Sequence, residues 1–210
     1  MVGRIIETEA DLAEGAAWLS EACPHLAQAY DETGPLRLRR RGGGFEALLS
    51  AIVSQQVSVA SADAIWAKLE GAGLTHERAL EHATPEELRA VGLSRQKARY
   101  AKALADARID YEGLTKAPQD QVNKTLTAVT GIGVWTAEIY AMFSLGRADV
   151  FPSGDLALQE AAKLIYDFEE RPSDKDLRAQ AEAWSPWRSV AARLFWQYYA
   201  GAKQREGVRT

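Results

Sequence analysis

One stretch constrains this chain more than any other. Leu126-Thr127-Ala128-Val129-Thr130-Gly131-Ile132-Gly133-Val134-Trp135-Thr136-Ala137 reads as the end of one helix, a Gly-x-Gly turn and the start of a second helix. Glycine adopts the positive φ of a tight turn at little cost and lets another backbone approach closely. The amides that follow belong to a helix N-terminus, where the helix dipole favours an anion. A DNA phosphate answers that description, and such a contact positions a duplex without reading its sequence. The same turn also reads as an αα-hairpin whose glycines serve packing alone.

The rest of the chain points to helices as well. Thr8-Glu9-Ala10-Asp11 has the form of a variant capping box, which opens a first helix. Pro24 and the segment 31–35 bracket a short second one. From Phe45 an almost wholly apolar run through Leu48, Leu49, Ile52 and Val53 predicts a buried helix. Gln55-Gln56-Val57-Ser58 interrupts it, and Ser58 can cap a helix carrying Ala62, Ile65, Trp66 and Leu69. Thr84-Pro85-Glu86-Glu87 is a strong start signal, with proline at the first helical position and Glu87 reaching back. Ser94 caps the next helix, Asp120 opens the one that ends at the hairpin, and Pro186 begins the last. No strand alternation and no internal repeat is present, so the expected fold is all-α.

Length and composition set the limits. At 210 residues the chain suits one compact unit or two small lobes, with enough core to need no staple. Cys23 stands alone, which leaves neither a disulfide framework nor a cysteine-ligated cluster. The N-terminus lacks a signal-peptide pattern, and no apolar run approaches the roughly 20 residues that span a bilayer. The expectation is a cytoplasmic protein with no membrane partner. The formal charge of −4 argues mildly against nucleic acid, although local charge matters more than net charge. Arg37, Arg39, Arg40 and Arg41 precede Gly42-Gly43-Gly44. They read as a solvated linker, and a lobe boundary is placed near Gly44.

Shortly after the hairpin comes Asp149-Val150-Phe151-Pro152-Ser153-Gly154-Asp155. Asp155 precedes Leu156-Ala157-Leu158, so on these residues alone it reads as a helix cap. A carboxylate there could also stabilise developing positive charge.

These motifs combine with Ile52-Val53-Ser54-Gln55-Gln56-Val57-Ser58, Gly92-Leu93-Ser94-x-x-Lys97 and Trp184-x-Pro186-Trp187-Arg188. In that order the series resembles the helix-hairpin-helix base-excision DNA glycosylase superfamily, and within it the DNA-3-methyladenine glycosylase II group. The resemblance runs from about Phe45 to Trp196. It implies two helical lobes flanking a DNA-binding cleft, drawn here as 45–147 with the hairpin and 1–44 plus 148–210 with the acid. The partner it implies is double-stranded DNA containing damaged bases, bound by a monomer. Asp155 falls on the family's catalytic aspartate. Trp135 stands where strand-cleaving members carry a Schiff-base lysine, so hydrolysis without lyase activity is expected, and it also matches a pocket tryptophan. Trp187 and Ile139 are further pocket candidates, Ile139 replacing a tyrosine. Alkylated purines such as 3-methyladenine and 7-methylguanine are cationic, and aromatic faces attract cations.

The resemblance further implies DNA contacts at Gly131, Gly133, Val134 and Thr136 in the hairpin, and at Gln55, Gln56, Lys97 and Arg188. Gln56 takes the position of the residue that fills the gap left by the flipped nucleotide; the glutamine pair reads equally as a polar connection between helices. No cofactor is required, but a sodium or potassium ion held by the main-chain carbonyls of Thr127, Val129 and Ile132 is implied. The missing cysteines set the chain apart from iron–sulfur members. Two other functions remain open: a non-catalytic helix-hairpin-helix module, and a glycosylase for deaminated or mismatched bases.

Overall fold

The structure is a computed structural model and describes residues 2–205. Its helices, in chain order, are α1 (Glu9–Ala22), α2 (Pro24–Thr33), α3 (Phe45–Ser54), α4 (Val59–Gly71), α5 (Glu77–His82), α6 (Pro85–Ala90) and α7 (Arg95–Asp106). Then come α8 (Tyr111–Lys116), α9 (Gln119–Thr127), α10 (Val134–Phe143), α11 (Leu156–Ile165), α12 (Asp174–Ala181) and α13 (Arg188–Arg205). Among the described residues there is no strand, only an isolated bridge between Ile5 and Arg147. The fold is all-α.

The chain divides into two compact units, Arg41–Tyr140 and Gly3–Arg40 with the chain from Ala141 onward. In the first, α3 buries Phe45, Leu48, Leu49, Ile52 and Val53, and it packs on α4 and α7. The helix starts are set by local chemistry. Thr84 accepts from the Glu87 amide while Glu87 returns the bond. Ser58 and Ser94 cap α4 and α7 in the same way, each through its hydroxyl. The expected start at Asp120 shifts slightly, because Pro118 takes the cap position of α9.

In the second unit α13 packs on α11, α2 and α1. Thr8 and Asp11 form the reciprocal capping box of α1. The C-terminal end of α10 is met by cations: Arg193 donates to the Met142 carbonyl at 3.4 Å and Arg40 to the Ser144 carbonyl at 3.3 Å. That placement suits the negative end of a helix dipole. Burial, with Arg40 and Arg39 nearby, pushes the Arg193 pKa down to about 10.

Candidate functional site

The hairpin is built by two glycines with different roles. Gly131 has φ +99°, and a Cβ there would collide with the Tyr100 ring. Gly133 has no such φ, and a Cβ there would meet nothing within 4 Å. So only Gly131 needs glycine for its conformation; Gly133 leaves open space. The turn closes when the Ile132 amide donates to the Val129 carbonyl at 3.0 Å. The Ala137 amide then donates to the Gly133 carbonyl at 3.0 Å, which makes Gly133 the cap of α10. Val134 and Thr136 contribute main-chain amides that precede this first helical bond. The Thr136 side chain is buried and the Val134 side chain exposed.

Gln55, Gln56, Lys97, Gly131, Ile132 and Gly133 line one groove of about 620 Å³ in the first unit. Within it their roles separate. Gln55 is turned inward, its amide donating to the Gly131 carbonyl at 3.0 Å; it braces the hairpin instead of facing a partner. Gln56 is exposed, with φ +55°. Such a conformation is uncommon for a residue with a Cβ, and the residue lies in the α3–α4 connection. Lys97 is a correction to the expectation of a DNA contact. Its side chain is buried and its ammonium donates to the Val53 carbonyl at 2.6 Å. Burial lowers its pKa.

Trp135 lies in the first turn of α10 and is 45% exposed, an unusual position for so large an apolar surface. Ile139, one turn on and half-buried, shares its face. Both are therefore available to a ligand on that side of the helix. Trp187 is not. It is 4% exposed, packed where a Cβ on Gly15 would lie 2.6 Å from its ring, and covered by the Arg4 guanidinium at 4.7 Å. A base has no face of Trp187 to stack on, so its place among pocket residues is corrected to core.

Asp155 sits at the start of α11 in the second unit. Its Oδ1 accepts from the amides of Ala157 at 2.9 Å and Leu158 at 3.2 Å. The Trp196 indole donates to the same oxygen at 3.2 Å. The turn before it is tied down as well: the Asp155 amide donates to the Pro152 carbonyl, and the Gln159 amide group to the Ser153 carbonyl at 2.8 Å. The cap fixes the carboxylate in one orientation. Asp149 is structural. Arg188 grips it with Nε at 2.7 Å and Nη2 at 3.0 Å, and reaches Glu182 with Nη1 at 2.8 Å. The bond to Asp149 raises the Arg188 pKa. Its fork is spent inside the unit, which corrects the expectation that it touches DNA.

Two contributors escaped the sequence reading. Tyr100 wedges against Gly131 from α7, and Trp196 holds Asp155 from α13. Trp196, like Trp18 and Trp66, is half-buried. No local spacing links either residue to its target.

A helical chain with a Gly-x-Gly hairpin between two helices and an aspartate fixed at a later helix start has the outline of the helix-hairpin-helix proteins. Residues 49–186 match the model of the HhH-GPD superfamily base excision DNA repair proteins, and the chain belongs to that superfamily. The DNA-3-methyladenine glycosylase 2 of Escherichia coli is 31% identical over 177 residues, covering 77% of this chain and 60% of its own length. Among solved structures, the DNA-3-methyladenine glycosidase of Bacillus halodurans has a TM-score of 0.82 at 32% identity, covering 96% of this chain and 94% of that one. The Schizosaccharomyces pombe 3-methyladenine DNA glycosylase Mag1, in complex with abasic DNA, has a TM-score of 0.75 at 26% identity, covering 88% of this chain and 95% of that one.

Proposed function

We infer that this chain is a DNA glycosylase that excises alkylated bases of the 3-methyladenine and 7-methylguanine type in base-excision repair. The observation that carries the reading is the fixed carboxylate of Asp155, in a chain whose relatives are named for 3-methyladenine.

The main-chain amides after Gly131 and Gly133 take a backbone phosphate of double-stranded DNA. Neutral carbonyl oxygens at Thr127, Val129 and Ile132 are hard donors of the kind an alkali cation accepts. A sodium or potassium ion held there would add positive charge near that phosphate. A damaged nucleotide leaves the stack, and Gln56 stands at the exposed tip suited to the space it vacates. The extruded, positively charged base lies against Trp135, where the ring face attracts it, with Ile139 alongside. As the N-glycosidic bond breaks, its electron pair leaves with the base and positive charge builds on the sugar. The carboxylate of Asp155 stabilises that charge and orients the water that attacks the anomeric carbon. Because a cationic purine is already a good leaving group, this electrostatic help suffices. Tryptophan at 135 offers no amine, so no Schiff base forms and the strand stays intact. The protein acts as a monomer.

Methylated duplex DNA incubated with the protein should release free 3-methyladenine and 7-methylguanine, measured by chromatography. Strand breaks should appear only after alkali, and borohydride should trap no covalent complex. Release of hypoxanthine or uracil instead would transfer the reading to deaminated bases. Tight binding without release of any base would make the chain a binding module.

A further inference from the structure

Helix α7 separates two grooves of the first unit. One is the hairpin groove. The other, of about 480 Å³, has an apolar floor that includes Leu88 and Ala98, rimmed by Arg89, Arg95, Arg99 and Lys102 with one carboxylate, Glu86. Lys102 is engaged, donating to the carbonyls of Leu80, Glu81 and Ala83. Arg89, Arg95 and Arg99 are exposed, and none has a carboxylate within ion-pair distance among the described residues.

The arrangement is unfavourable for the protein alone. Arg95 and Arg99 are like charges at i,i+4, which costs a helix stability. Arg95 also stands in the first turn of α7, where no acidic residue is present, although that end of a helix prefers negative charge. Other arginines of this chain are neutralised: Arg108 by Glu81, Arg171 by Glu160, Arg188 by Asp149. An anion would turn each of these penalties into a gain, and a guanidinium fork matches phosphate oxygens well.

Contiguity says which anion. The Arg99 guanidinium lies 5.7 Å from the centre of the Tyr100 ring, and that ring is what packs on Gly131 of the hairpin. Through Tyr100, α7 therefore borders the hairpin directly. We propose that Arg99, Arg95 and Arg89 form a phosphate track that extends the duplex footprint from the hairpin across α7. The track rests on the glycosylase reading and deepens it. Its contacts are with backbone only, so they act equally on damaged and undamaged duplex.

The test is the salt dependence of binding to a labelled, undamaged duplex, read by fluorescence anisotropy, for wild type, Arg95→Gln/Arg99→Gln and Arg108→Gln. Melting temperatures establish that each variant is folded. Each lost phosphate contact reduces the magnitude of the log–log salt slope by about 0.9. The double variant should therefore lose about 1.8, so that raising salt from about 50 to about 200 mM costs it roughly tenfold less affinity than it costs wild type. Arg108→Gln, whose guanidinium is already held by Glu81, should keep the wild-type slope. An unchanged slope in the double variant, or an equal loss in Arg108→Gln, overturns the track while leaving the glycosylase reading intact. Failure of wild type itself to bind duplex overturns both.

Discussion

Two helix starts in this chain solve the same problem in opposite ways. Both α10 and α11 begin with amides that lack helical partners. At α11 the preceding residue is Asp155, whose carboxylate folds over the amides of Ala157 and Leu158. At α10 the preceding residue is Gly133, which has no side chain to fold over anything and open space where a Cβ would be. The first start is closed by its own acid, and the acid is thereby held still. The second has no cap side chain at all. A single cap residue thus decides what each helix start can do. Asp155 brings a carboxylate held in place, and Gly133 brings no side chain.

Several changes sharpen or break this contrast. The largest effect is expected from Asp155→Asn. An asparagine oxygen still caps α11, so the fold survives while the charge is lost. Base release should fall on the order of a hundred- to a thousandfold, as for other groups aimed at developing charge. A matching drop in melting temperature would reduce Asp155 to a cap. Next comes Trp135→Ala, which removes the exposed ring beside the open start. A cation–π contact worth about 2 kcal/mol predicts roughly a thirtyfold loss of kcat/KM on a cationic methylated purine. A neutral lesion should lose much less, and an equal loss on both would remove the cation–ring attraction from the account.

Gly131→Ala probes the hairpin's geometry. Its left-handed backbone and the Tyr100 ring predict a loss of about 1–2 kcal/mol in stability by denaturant melt, whereas Gly133→Ala should melt like wild type. The smallest effect is that of Trp196→Phe. It deletes one donor to the Asp155 carboxylate, and a hydrogen bond to a charged group worth about 1.5 kcal/mol predicts a loss of roughly tenfold in the rate. Unaltered kinetics would mean that the Ala157 and Leu158 amides orient the acid unaided.

What the sequence could reveal follows the range of the interactions. Caps at Thr8, Ser58, Thr84 and Ser94 were legible because each partner lies within three residues. The hairpin was legible for the same reason, and so was the helix start at Asp155. The long cations misled. Lys97 and Arg188 carry the charge of a DNA contact, but Lys97 turns to Val53 and Arg188 to Asp149, 44 and 39 residues away. Nothing in their neighbourhoods announces those partners. Trp187 misled likewise, since only the packing of α1 and Arg4 decides whether a tryptophan faces a ligand or a core. The bracing of Gly131 by Gln55 and Tyr100 is equally non-local, and so is the hold of Trp196 on Asp155.

The most direct measurement crosses two variants with two readouts. Asp155→Asn and Gly133→Asp are assayed side by side for affinity to methylated duplex and for single-turnover release of 3-methyladenine. Asp155→Asn should bind like wild type and release almost nothing. Gly133→Asp, which places a carboxylate at the start of α10, should bind weakly yet release base once protein is raised to saturation. If both variants lose binding and release in equal measure, the two helix starts do not divide the work.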